Sequence, residues 1–147
     1  GITIFEEVKE TASKYFDEEE VILLTVENDL LVNALQRQAD VIIQKSKREG
    51  FGLTVTEALW KGRPVVASRV GGIPLQISDG VNGFLVEPDD YKGFARKIIS
   101  LLQNPSEAQK IGEAGKEYVR NNFLITRLLS DYLNLISSFW NGAEHPF

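Results

Sequence analysis

The sequence predicts an α/β domain built on a doubly wound parallel sheet, and three observations predict it. Short apolar runs, VILLTV (21–26), DVIIQ (40–44) and PVVAS (64–68), have the composition of buried strands, and FLVEP (84–88) reads as a further short strand. Stretches with helical spacing alternate with them, a pattern that implies parallel pairing through right-handed crossovers. Glycine turns follow two of the runs on their carboxyl side, where open parallel sheets bind ligands.

Taken in order, Ile4, Phe5, Val8, Ala12, Tyr15 and Phe16 recur at helical spacing and predict an amphipathic helix over 2–16. The run VILLTV is the first expected strand. Leu30, Ala34, Leu35 and Ala39 predict a second helix, and DVIIQ a second strand. A helix from about Leu53 to Lys61 is stopped by Gly62 and Pro64, and PVVAS follows as a strand. VGGIPLQI is a glycine-led turn feeding a short helix, and DGVNG is turn chemistry before FLVEP.

Beyond Pro88 the pattern is helical only. Asp89 or Asp90 is placed to cap a helix carrying Phe94, Ile98, Leu101 and Leu102. SEAQ (106–109) matches a capping box ahead of Ile111, Ala114 and Tyr118, and NNF (121–123) breaks that helix. The last helix, roughly 124–140, has a wide apolar stripe from Ile125 to Trp140, and two coverings remain open: its own sheet, or another domain. If the stripe is uncovered, a homodimer is expected.

The 147 residues suit one ordinary soluble domain. No apolar run approaches the ~18 residues of a membrane span, and the first residues lack a signal-peptide layout, so a cytoplasmic location is expected. With no Cys and a single His, thiolate and zinc chemistry are excluded. The net charge of −5, without a clustered basic face, argues against nucleic acid as a partner.

The turn KSKREGFGLTVTEAL carries the chemistry. Gly50 and Gly52 remove side chains where backbone would approach a ligand, and a helix starting near Leu53 offers N–H groups and a positive dipole end to phosphate. Purely geometric glycines explain the turn as well as a ligand does. Glu49 and Glu57 sharpen the pattern: a carboxylate beside a phosphate repels it unless it faces hydroxyls, and carboxylates accept paired bonds from diols. The plain alternatives are an i,i+4 ion pair between Glu57 and Lys61, a solvated loop charge at Glu49, and a core role for Trp60. Gly71 and Gly72 form a second rim, explained equally by close approach to a sugar or by a turn needing positive φ, and Arg69 has charge to offer a phosphate.

EGFGLTVTE (49–57) fits the E-x7-E signature of the retaining glycosyltransferases of family 4, and EALWKGRPVVASRVGGIPLQISDGVNGFLVEPDD continues that family's pattern. Within it, VNALQRQADVIIQKSKREGFGLTVTEALWKG most resembles the trehalose synthase group, which transfers glucose from a nucleoside diphosphate glucose to glucose. The resemblance spans about residues 20–136.

It implies the GT-B fold, two Rossmann-like domains across a cleft, with this chain as most of the C-terminal, donor-binding one. Residues 1–121 would be a partial donor domain, and 122–147 a helix and tail crossing to an N-terminal acceptor domain that this chain lacks. Glu49 would contact the donor sugar and serve as the catalytic-site carboxylate. Gly50, Phe51, Gly52 and Leu53 would line sugar and diphosphate through their amides, Thr54 would assist at phosphate, and Glu57 would bind ribose. No metal or other cofactor is expected. The family's diphosphate-gripping Arg and Lys pair falls on an opening strand-helix-strand absent here, so the chain alone is expected to be nearly inactive. Two other readings remain: the same family with a different sugar acceptor, or a nucleotide-binding or assembly module without turnover.

Overall fold

The computed structural model describes residues 3–17, 20–25 and 27–140. Two compact units divide the chain between Leu31 and Val32.

The first unit holds α1 (Ile4–Ser13), as its spacing predicts. Thr3 caps it: its hydroxyl accepts from the Glu6 amide at 3.4 Å, and the Glu6 carboxylate accepts from the Thr3 amide at 2.8 Å. The Thr3 amide and, at 3.1 Å, the Thr3 hydroxyl donate to the charged carboxylate and hold the Glu6 carboxyl below its ordinary pKa. Among the described residues of VILLTV, 21–25, the expected strand is not formed. Residues 21–25 join no ladder, and Ile22 and Leu24 are 74% and 53% exposed. An apolar run encodes burial but not a pairing partner, and residues 1–31 contain no other strand among those described. Val26, the last residue of that run, lies outside the described residues.

Helix α2 (Asp29–Gln38) begins in the first unit and continues into the second. There follow β1 (Ile42–Gln44), α3 (Leu53–Trp60), β2 (Val65–Ser68), a 3-10 turn (Ile73–Leu75), β3 (Phe84–Val86), α4 (Tyr91–Gln103), α5 (Pro105–Asn122) and α6 (Ile125–Trp140). The three strands pair in the order β1-β2-β3, both pairs parallel, with Ile43 opposite Val66 and Ala67 opposite Leu85.

The period of two along each strand distributes the core to both faces. Val65, Ala67 and Leu85 pack with Val55, Ala58 and Leu59 of α3 and Val119 of α5. Val66, Phe84 and Val86 pack on the opposite side with Phe94 and Leu101 of α4 and Ile111 of α5. Such two-sided burial is why these runs carry no polar alternation.

Asp90 rather than Asp89 caps α4, its Oδ1 accepting from the Gly93 amide at 2.8 Å. The expected capping box at SEAQ is corrected: α5 starts two residues earlier, with Asn104 at the cap and Pro105 in the first helical position. Proline's fixed φ and missing N–H suit that first position, so Ser106 falls inside the helix. Its end at Asn122 agrees with the break read from NNF. No helix among the described residues is long and apolar enough to cross a membrane.

Candidate active site

The site forms at the carboxyl end of β1. The strand ends at Gln44, the chain turns through Glu49–Gly52, and α3 starts at Leu53. Gly52 holds a left-handed conformation, φ +85°, a conformation that favours glycine. Its carbonyl accepts from the amides of Val55 at 2.9 Å and Thr56 at 3.4 Å, closing the first turn. The amides of Leu53 and Thr54, the first two helical residues, have no carbonyl one turn back to bond, and no side chain caps the helix. A side chain at Gly50 would meet nothing within 4 Å, so no packing within the chain demands glycine there. Phe51, Leu53 and Thr54 all have exposed side chains.

Both carboxylates are held in place. Glu49 is half-buried: its Oε2 accepts from Gln44 Nε2 at 3.3 Å and Ser46 Oγ at 3.5 Å, and its Oε1 from the Gly50 amide at 3.0 Å. It is therefore not a freely solvated loop charge, and the Gly50 N–H already has a partner. Glu57 accepts at 3.4 Å from Nε2 of Gln36, a buried residue of α2. The ion pair considered for Glu57 and Lys61 does not form, because Lys61 Nζ donates instead to Gln36 Oε1 at 2.6 Å. Trp60 departs from its expected core role at 40% exposure, since α3 buries the stripe of Val55, Ala58 and Leu59 and residue 60 falls off it. The Lys116 ammonium stands 5.9 Å from its ring centroid.

The second rim is part of the same construction. The Gly72 amide donates to the Gly50 carbonyl at 2.6 Å. A Cβ on Gly71, whose φ is +54°, would stand 1.8 Å from the Glu49 carbonyl oxygen; one on Gly72, 2.9 Å from that of Gly50. Only Gly71 needs positive φ. Both glycines let one backbone lie against another, a requirement internal to the fold. Arg69 is engaged by Asp79 at 3.6 Å and Glu87 at 3.2 Å, so its charge turns to carboxylates.

Three kinds of support escape the sequence reading. Gln44 and Gln36 orient the two glutamates, and neutral amides carry no spacing signature. Gln76, fully buried, donates through Nε2 to the carbonyls of Phe51 and, at 3.4 Å, Gly52, and accepts from Thr56 Oγ1 at 2.6 Å. A lone polar residue in the otherwise apolar IPLQI is the signal that marks it. Phe123, at the break between α5 and α6, stacks edge-on against Phe51 with centroids 5.6 Å apart. Lys45, just past β1, lies 4.2 Å from the Tyr91 ring centroid.

The family model of glycosyl transferases group 1 matches residues 3–118. The chain belongs to that family. It is 58% identical over 106 residues to a trehalose synthase of Rubrobacter xylanophilus, covering 72% of this chain and 25% of that protein. Over 139 residues it is 46% identical to the trehalose synthase of Thermococcus litoralis, covering 95% of this chain and 33% of the relative, so it spans about a third of that protein's length. A trehalose phosphorylase of Grifola frondosa is 38% identical over 99 residues, covering 67% of this chain and 14% of the relative. Among solved structures, the Anabaena protein Alr3699/HepE in complex with UDP-glucose superposes with a TM-score of 0.79 at 25% identity, over 90% of this chain and 36% of that one. A sucrose-phosphate synthase from Thermosynechococcus elongatus superposes with a TM-score of 0.80 at 26% identity, over 93% and 34%. The fold is that of the C-terminal Rossmann-like domain of GT-B glycosyltransferases.

Proposed function

We propose that this chain is the donor-binding part of a retaining glycosyltransferase that moves glucose from a nucleoside diphosphate glucose to glucose, forming trehalose. The observation that carries the reading is the turn Glu49–Gly52 opening α3 between two anchored carboxylates. Free amides at Leu53 and Thr54 and the positive end of the helix dipole favour a diphosphate there. Glu49, held by Gln44 and Ser46, is oriented to accept from hydroxyls of the sugar, and Glu57, held by Gln36, from those of the ribose. Acceptors aimed at neutral hydroxyls avoid the repulsion that two acids beside a phosphate would otherwise cause.

In this mechanism the acceptor hydroxyl attacks the face from which the diphosphate departs, and the leaving phosphate oxygen takes its proton. Neither a side-chain nucleophile nor a metal is required. Amides fixed before the reaction stabilise charge as it develops on the departing phosphate, a contribution often worth several kcal/mol. The acceptor domain supplies the rest of the cleft, so the 147-residue chain binds donor with little turnover.

Calorimetric titration with UDP-glucose and ADP-glucose tests donor binding, and assay of the full-length enzyme with glucose, following trehalose and its anomeric configuration by NMR, tests transfer. Glu57→Ala is expected to weaken nucleotide binding at least several-fold with the melting temperature nearly unchanged; lost stability with intact binding would make Glu57 a structural residue. The Grifola frondosa phosphorylase match favours one second reading, phosphate as the partner in the exchange. Release of glucose 1-phosphate from trehalose and phosphate would establish that reading instead.

A further inference from the structure

We propose that Gln76 is a positioning residue for the diphosphate cradle, fixing the Phe51–Gly52 peptide so that the Gly52 N–H faces the ligand. The inference rests on the reading that a diphosphate sits at the start of α3. In a planar trans peptide the carbonyl of one residue and the N–H of the next point in opposite directions. Holding the Phe51 carbonyl inward therefore holds the Gly52 amide outward.

The Phe51 carbonyl precedes α3, and Gln76 Nε2 donates to it. The same nitrogen reaches the Gly52 carbonyl at 3.4 Å. The side chain's orientation follows from its partners: carbonyls only accept, so the nitrogen faces them, and the Thr56 hydroxyl donates to Oε1 at 2.6 Å. Residue 76 is itself tethered, its carbonyl accepting from Asn82 Nδ2 at 3.1 Å.

An apolar side chain of the same size would fill this buried position without a polar group to satisfy. Gln76 adds a hold on a peptide that flips readily, because Gly52 has no Cβ to oppose rotation. With the hold removed, the Phe51 carbonyl is free to swing outward and present a negative dipole to the phosphates.

The test is an amide-resolved NMR titration of the 147-residue chain with UDP and, separately, uridine. The unsubstituted chain should bind UDP more tightly, with the Gly52 and Leu53 amides shifting. Gln76→Met should lose about tenfold for UDP, the size of one charge-assisted hydrogen bond, while uridine affinity holds. Thr56→Val, which frees the glutamine to rotate, should lose less in the same direction, and it carries the test if Gln76→Met does not fold. Equal losses for both ligands, or an undiminished preference for UDP, would overturn the inference. A chain with no preference for UDP from the start would overturn the donor-binding reading, and this one with it.

Discussion

Helices α5 and α6 are neighbours in sequence, separated by only Phe123 and Leu124, yet they use their surfaces in opposite ways. The more polar α5 buries Ile111, Gly112, Gly115 and Val119. Its approach to α3 and the turn that follows is so close that a Cβ on Gly115 would stand 2.7 Å from Leu59 Cδ2, and one on Gly112 2.1 Å from the Gly62 carbonyl oxygen. The more apolar α6 buries none of its residues, and Leu129, Leu133 and Ile136 are each 58% exposed. Apolar content therefore does not rank helices by how much they hold this domain together; surface fit does. Small residues at a contact let two backbones meet, whereas a stripe of leucines stabilises only what it touches.

The largest expected effect tests the fitted side. Leu59 is fully buried between α3 and α5, so Leu59→Ala should cost about 3–4 kcal/mol of unfolding free energy, transfer and cavity terms together. Chemical denaturation checks it. A cost below about 1 kcal/mol would mean the α3–α5 contact relaxes around the hole, and the contrast with α6 would shrink.

A subtler test sets two effects against each other. Replacing a helical glycine with alanine gains about 1 kcal/mol of helix propensity. At Gly112 the added methyl collides with backbone oxygen rather than a flexible side chain, and overpacking costs about 1–3 kcal/mol. Gly112→Ala should therefore destabilise by about 1 kcal/mol net. Stabilisation would show that propensity outweighs fit at this contact.

The same contrast explains what was legible in the sequence. Strands β1, β2 and β3 are readable as short apolar runs and helices α1 to α6 as helical periods, some with a stop signal such as Gly62 and Pro64 after α3 or NNF after α5. Residues 21–25 read as part of a strand but form none, because Ile22 and Leu24 specify apolarity, while a strand also needs a partner ladder. In the candidate site, the glycines and glutamates have a spacing of their own, whereas Gln36 and Gln44, which hold Glu57 and Glu49, have none. An amide side chain at position 36 or 44 gains meaning only when the fold brings a carboxylate within reach, and at position 76 the apolar setting of IPLQI marks the residue but not the Phe51 carbonyl it holds.

The smallest expected effect is the most discriminating. Replacing Leu129 and Leu133 together by serine removes two large apolar side chains, each of which would cost several kcal/mol in a packed core. With both more than half exposed on α6, the double variant should change the unfolding free energy of this chain by no more than about 1 kcal/mol, chiefly through helix propensity. More than half of their surface is already in water in the folded state, so burial lost on substitution is small. A drop of about 3 kcal/mol or more would mean that these leucines are covered in solution, either by this chain or by another copy. Repeating the measurement at tenfold lower protein concentration separates the two, because only burial against a second copy makes the cost depend on concentration.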